Sequence, residues 1–285
     1  MRDIGFIFKG EKTSVKDYLR KRLGVSARSI TELKTIEGGI RLNGKNARTV
    51  DFLNDGDILT LKTEDAPVLN EEKFGYKILY FDENYTVIEK PPYTTVYKSG
   101  KEERNINDVF IKNYPDFTFR PFYRLDKNTD GTLLIANNAL IMQGTEIDKY
   151  YFAICSGKVP ESGVIDEPIS LEENSVIKRR CGFGGQDAVT EYKRVNFDGE
   201  NSLVKIKLKT GRTHQIRVHF SYLGFPLIGD DLYGGKCDKI PRQALHCGVC
   251  KIVNKAIGTD VLVVSEFFDD FKKAFGKEIS IKDYL

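Results

Sequence analysis

The segment at 120–137, RPFYRLDKNTDGTLLIAN, gathers two arginines, a tyrosine and two aspartates ahead of an apolar run. Asp126, Asn128 and Asp130 followed by Gly131 fit the opening of a calcium-binding loop, with Leu133 at its eighth position. The twelfth position is Asn137, where that loop needs a bidentate glutamate, and LLIA reads as a strand where a helix should leave, so calcium is set aside. A turn aspartate capping a strand is the plain reading. Arg124, two residues earlier, shares a face with Asp126 on an extended chain, unless a structural ion pair claims it. The three histidines fall at 214, 219 and 246. Read within a strand at Ile216–Phe220, His214 and His219 point to opposite faces. Cys247 and Cys250 beside His246 imitate half a zinc site, but only Cys237 remains to complete the four ligands a structural site needs, so no metal is expected. The glycines of CGFGGQ fit no phosphate-loop pattern and read as a mobile loop.

YRLDKNTDGTLLIA resembles the HRLDxxTSG signature that carries the catalytic aspartate of RluA-type RNA pseudouridine synthases, and Asp126 falls on that aspartate. Lys149-Tyr150-Tyr151-Phe152-Ala153 resembles the family's K-x-Y-x-A, and KTGRTHQIRVHFSYLGFPLIGDDLYGG its TGRxHQIRxH…GxPIxGDxxYG. With strands at 78–90, QDAVTEY and RQALHC, the resemblance spans most of 76–285. Tyr123 stands where histidine is usual, Asp130 where serine is, and Cys247 where alanine is. The resemblance implies conversion of uridine to pseudouridine without metal or cofactor. Asp126 would attack carbon covalently or deprotonate the sugar to a glycal, and Arg217 would pair with it, favouring its charged form. Tyr151 would stack on the uracil, its hydroxyl a candidate for removing the proton at the new bonding carbon, against the plain reading of a strand aromatic. Arg124 would help extrude the uridine, which costs a few kcal/mol. Arg212 and Gln215 would face the RNA, and His214 would be structural or RNA-facing.

These residues need a scaffold, and the patterning supplies two parts. Residues 9–48 hold eleven Lys/Arg against four Asp/Glu, while the whole chain nets only +3, which makes a polyanion the partner to test. Ser14 with Asp17 predicts a helix to about Leu23, and Ser26 caps a second whose apolar stripe is Ile30 and Leu33. Ile40–Leu42, the Asn43-Gly44 turn and Ile58–Leu61 then read as a small sheet. Residues 13–61 resemble the ribosomal-protein-S-four-type RNA-binding domain, with Arg20, Lys21, Arg28, Arg41 and Lys45 presented to RNA; a basic surface helix pair is the alternative. Domains are expected at 1–61 and 76–285, with a polar linker at 62–75. Strands are predicted at 78–80, 86–88, 133–136, 150–154, 190–195, 203–208, 216–220 and 261–264, and helices at 107–112 and 267–275. That gives an α+β catalytic domain on a mixed, mostly antiparallel sheet with peripheral helices.

Composition is that of an ordered globular protein, 40% hydrophobic and 30% charged. Without a long apolar run or signal segment, and with five cysteines read as reduced thiols, a cytoplasmic monomer is expected, with no membrane partner. Large-subunit ribosomal RNA is the leading substrate and transfer RNA the second. An RNA-binding assembly factor with a decayed synthase site is the rival, opposed by intact Asp126, Tyr151 and Arg217. A calcium-regulated binding protein rests only on the discounted loop.

Overall fold

The computed structural model describes residues 1–67, 69–98, 105–142 and 144–285. Apolar alternation in the second part builds a nine-stranded sheet. Its order is Ser162–Asp166, Val189–Phe197, Asn201–Leu208, Glu146–Ser156, Leu245–Asn254, Asp130–Ala136, Tyr85–Lys90 and Ile78–Phe81, with Thr259–Val264 also paired to Leu245–Asn254. Every neighbouring pair is antiparallel except one short parallel contact, where His246 and Cys247 meet Asp130 and Gly131. The fold is α+β, as the patterning predicts. The parallel contact brings the Asp126 turn against the middle of the sheet. It demands glycine, because Gly131 has φ +109° and a Cβ there would lie 2.2 Å from the Cys247 carbonyl oxygen.

Helices cover the sheet: Ile106–Asn113 and Asp269–Phe275 form close to where they are expected, each burying an apolar side. Ile216–Phe220 is a correction. It is not a strand but part of the helix Gln215–Tyr222, in which every residue from Gln215 to Phe220 is buried. Apolar residues at 216, 218 and 220 mimic a two-residue period, and an element buried all round shows no helical stripe to contradict them. The opposite-faces argument for His214 and His219 lapses with it.

In the first part, Ser14 accepts from the Asp17 amide, but no single regular helix follows. A short α turn, Val15–Asp17, passes into a wider π turn, Tyr18–Arg22, which turns Tyr18, Leu19 and Leu23 into the core. Ser26 caps Ala27–Thr35, which buries Ile30 and Leu33 as expected. A strand missed in the sequence, Arg2–Ile7, pairs along its whole length with Ile58–Thr63. This small unit is not freestanding, because Phe6, Leu19, Leu59 and Leu61 share one apolar cluster with Tyr85, Val87, Leu134 and Ile252 of the large sheet. Arg2 also bonds to Glu83 and Asn84, and Arg120 pairs with Glu64 at 2.9 Å. The stretch read as linker contains a helical turn, Glu71–Phe74, capped by Asn70 and anchored by buried Phe74. Among the described residues no helix is long and apolar enough to cross a membrane.

Candidate active site

Asp126 lies in the turn that enters the Asp130–Ala136 strand, and Arg217 reaches it from the Gln215–Tyr222 helix with Nη1 at 3.3 Å from Oδ2. The two-pronged grip of Arg217 goes elsewhere: Nε and Nη2 donate to the Asp230 carboxylate at 2.6 and 2.8 Å. Asp230 is fully buried, whereas the Asp126 side chain is 28% exposed. Burial opposes the Arg217 charge, but bonds to Asp230 and the fields of Asp230 and Asp126 more than offset it and hold the guanidinium above its usual range. The Tyr233 ring lies 5.0 Å from that guanidinium, and its hydroxyl meets His214 Nδ1 at 2.9 Å. His214 Nε2 stands 3.9 Å from Asp126. Burial pulls its imidazole below the usual range, with Asp126 pulling the other way, so it flanks the carboxylate mainly as a neutral ring. Asp126 is thus the open carboxylate of a pair whose other member is buried and saturated.

Two buried basic side chains fix the Asp126 turn from beneath. Lys90 Nζ donates to the carbonyls of Pro91, Lys127 and Thr129 at 2.9, 3.0 and 2.7 Å. Burial pulls this ammonium down to about 7, against the attraction of Asp130 and Asp126. Arg242 Nη1 takes the intervening Asn128 carbonyl at 3.1 Å, and Nη2 binds Asp130 at 2.6 Å. Asp270 receives Nε and Nη2 of the same arginine at 2.7 and 2.9 Å. Both nitrogens of His246 face oxygens, Asp130 Oδ1 at 2.7 Å and the Ser265 carbonyl at 2.8 Å. Three successive carbonyls, those of Lys127, Asn128 and Thr129, are therefore held by two buried basic side chains, with the Arg242 bond of the stronger, charged kind. Asp130 fills the place of the usual serine by acting as counter-ion to Arg242. The donor atoms suspected of binding metal are turned onto protein groups: His246 as above, and Cys247 Sγ onto Thr132 Oγ1 at 3.3 Å.

The turn, the Glu146–Ser156 strand and the Gln215–Tyr222 helix enclose a cavity of about 710 Å³ lined by Asp126, Tyr151, Arg217, Arg124, Arg212 and His214 among others. Tyr151 projects its ring here, and its buried hydroxyl bonds to the Cys247 thiol. Burial, then the neighbouring thiols and Asp126, push that phenol well above its usual value. Arg124 is exposed beside buried Leu125, so the alternation expected of an extended chain is kept although no strand forms there. Arg212 Nε bonds to the Asp187 carbonyl at 2.9 Å. Gln215, 2% exposed, directs its amide to Thr210, Arg212, Val189 and Thr190, which makes it a brace for the loop more than a surface for RNA. The CGFGGQ glycines close a turn in which the Gln186 amide bonds back to the Ile169 carbonyl at 2.9 Å.

None of Arg20, Lys21, Arg28, Arg41 and Lys45 lines this cavity; all lie on the N-terminal unit. Lys21 pairs with Asp17 at 3.3 Å, Arg28 with Glu32 at 2.9 Å, and Arg41 with Asp3. Arg20 donates to the Val25 carbonyl, and Lys45 is exposed. Sequence reasoning missed Asp230, Tyr233, Lys90 and Arg242. Asp230 and Tyr233 stood in the recognised GDDLYG block, and Arg242 in RQALHC; Lys90, ahead of two prolines, carried no signal beyond position.

Comparison with known proteins places this geometry. Residues 84–222 match the family model described as RNA pseudouridylate synthase. An uncharacterised RNA pseudouridine synthase of Bacillus subtilis, YjbO, is 35% identical over 249 residues, covering 82% of this chain and 88% of the relative. The ribosomal large subunit pseudouridine synthase D of Pseudomonas aeruginosa is 29% identical, with 82% of each chain covered. The mitochondrial tRNA pseudouridine(32) synthase of Saccharomyces cerevisiae is 32% identical over 70% of this chain but only 46% of its own length. The structure of human RNA pseudouridylate synthase domain containing 4 shares the fold, with a TM-score of 0.56 at 24% identity over 70% of this chain and 92% of that one.

Proposed function

The chain belongs to the RNA pseudouridylate synthase family, an intramolecular isomerase acting on RNA, and from that premise we propose that Asp126 is its essential carboxylate and large-subunit ribosomal RNA its substrate. The observation that carries the catalytic assignment is the contrast between two carboxylates on one arginine. Asp230 is sealed and doubly bonded, while Asp126 faces a cavity of nucleoside dimensions with one long contact to the same guanidinium. The uridine enters after being flipped from its RNA, with Arg124 and Arg212 at the mouth to meet its phosphates and Tyr151 to hold the detached base by stacking. Asp126 then acts on the ribose, either as nucleophile or by taking a sugar proton, and the uracil turns over and rejoins through carbon.

The ribosomal assignment is supported by relatives named as large-subunit synthases, which align with about four-fifths of this chain and of themselves, whereas the yeast transfer-RNA enzyme aligns with under half of its own length. Pseudouridine mapped across cellular RNA with and without the gene should lose signal at one or a few positions of large-subunit ribosomal RNA. Loss confined to transfer RNA would transfer the assignment there, and loss nowhere would sink both.

Residues 1–61 serve as the RNA-gripping module, with two helical segments and a small sheet carrying exposed basic side chains. Arg22, Lys34 and Lys45 are exposed and pair with no carboxylate among the described residues, so phosphate is open to them. Deleting the module would uncover the shared core, which makes charge removal the cleaner test. Replacing these three by glutamine should weaken RNA binding and lower the slope of log affinity against log salt by roughly two to three, with far less effect at saturating RNA. Unchanged slope and affinity in a salt titration would reduce the module to a solvated surface.

A further inference from the structure

Isomerisation at the ribose leaves one proton to be moved. When the anomeric carbon joins C5 of the uracil, C5 still carries its hydrogen, and the product requires that hydrogen gone and a new one on N1. The C5–H electron pair must become the C5=C6 bond while the N1=C6 pair closes onto N1, which takes up a proton. Nothing is oxidised or reduced; one base at the edge of the uracil suffices.

We propose that the amine of Lys149 is that base, an assignment that rests on the cavity being the uridine site. Lys149 and Tyr151 lie two residues apart on the Glu146–Ser156 strand, so both side chains leave the same face, and both line the cavity that holds Asp126. Lys149 Nζ stands 3.9 Å from the centre of the Tyr123 ring and 5.8 Å from that of Tyr151. An amine at that distance is within reach of the edge of a uracil stacked on Tyr151. Among the described residues no carboxylate pairs with Lys149, although many other lysines of the chain have one.

The side chains packed against it are neutral. Tyr123 comes from the Asp126 loop, Tyr151 from its own strand, and the thiols of Cys247 and Cys250 from the Leu245–Asn254 strand. Those two thiols are three residues apart and would ordinarily face opposite ways. The register skips Gly248 between Tyr150 and Tyr151, and this bulge turns both towards Tyr123. Burial keeps them protonated, with Cys250 raised to about 12. Burial also pulls the Lys149 ammonium below its usual value, which eases formation of the neutral amine a base must be. The rival base, the Tyr151 hydroxyl, is held in the opposite sense, first by burial, then by Cys247, to which it bonds, and by Asp126, all of which disfavour a phenolate.

The test uses full-length protein and a short substrate RNA carrying either uridine or 5-deuterouridine. Lys149→Met removes the amine at similar length, and Lys149→Arg keeps charge and bulk but cannot become neutral. Both should turn over about a hundredfold or more slowly with KM within about threefold, because proton removal and not binding is lost. Deuterium at C5 should slow both variants while leaving the parent almost unaffected. Added ethylamine should restore turnover to Lys149→Ala, more strongly as its neutral fraction rises. Thermal melts identify any variant that fails to fold, and the arginine variant then decides. Full activity in the arginine variant, or a loss confined to KM with no isotope effect, would overturn the assignment and leave Lys149 as an RNA or packing contact. Asp126→Asn separates this result from failure of the broader reading, since it should stop the reaction before any C5 proton is at issue.

Discussion

Asp126→Asn should form pseudouridine at least about a thousandfold more slowly than the parent, the scale of loss when a nucleophile or its equivalent is removed, while binding RNA and melting almost unchanged. Binding and fold survive because little else depends on this carboxylate. Its side chain is partly exposed, its one contact with Arg217 is long, and the guanidinium keeps both bonds to Asp230 without it. The turn around it is held by carbonyls on Lys90 and Arg242, not by the Asp126 side chain. Asparagine preserves the shape but has no charge to attack carbon or accept a sugar proton. The measurement is product formed on a short RNA under single-turnover conditions, beside binding of the same RNA. Turnover within a few fold of the parent would remove Asp126 from the chemistry, and a matching loss of affinity would recast it as a binding residue.

The sheet was legible where one face is buried and the other wet, or where apolar runs end at turns. Ile78–Phe81 and Tyr85–Lys90, divided by Asp82-Glu83-Asn84, follow the turn chemistry closely. Legibility failed where burial is uniform. The helix Gln215–Tyr222 shows no polar stripe because it lies between the sheet and the Tyr233 segment, so only a three-dimensional neighbour, Asp230, explains an arginine inside it. Arg2–Ile7 was passed over because its partner, Ile58–Thr63, lies some fifty residues away and the pairing has no local signal. At the site, Asp126, Tyr151 and Arg217 do converge on one cavity, and each stood in a recognisable block. What the sequence could not convey is division of labour. It pointed to an Arg217–Asp126 pair, whereas the stronger grip is on Asp230, and it marked Asp130 as a departure without revealing Arg242, more than a hundred residues on, as the reason.

Arg217→Lys follows from that division. Lysine can keep a positive charge near one carboxylate but cannot donate two parallel bonds to Asp230 and a third to Asp126, so the loss should exceed what charge alone predicts. Turnover should fall about a hundredfold, as when one fixed donor is removed from a preorganised site. Stability should fall too, since lysine can supply only one of the two bonds that fully buried Asp230 receives from Arg217, and leaving a buried acceptor short of a partner costs about 1–3 kcal/mol. Asp230→Asn should reproduce most of the stability loss and part of the activity loss, because a guanidinium freed from Asp230 can swing onto Asp126 and tie up the carboxylate that must react. The double variant is the informative one: each single change already breaks the same fork, so the second costs little more, and its unfolding midpoint should lie well above that expected from adding the two single losses. Turnover should not recover with it, because the donor aimed at Asp126 is still missing. Additive losses in both readouts would mean that Arg217 and Asp230 act independently, and that the fork is only packing.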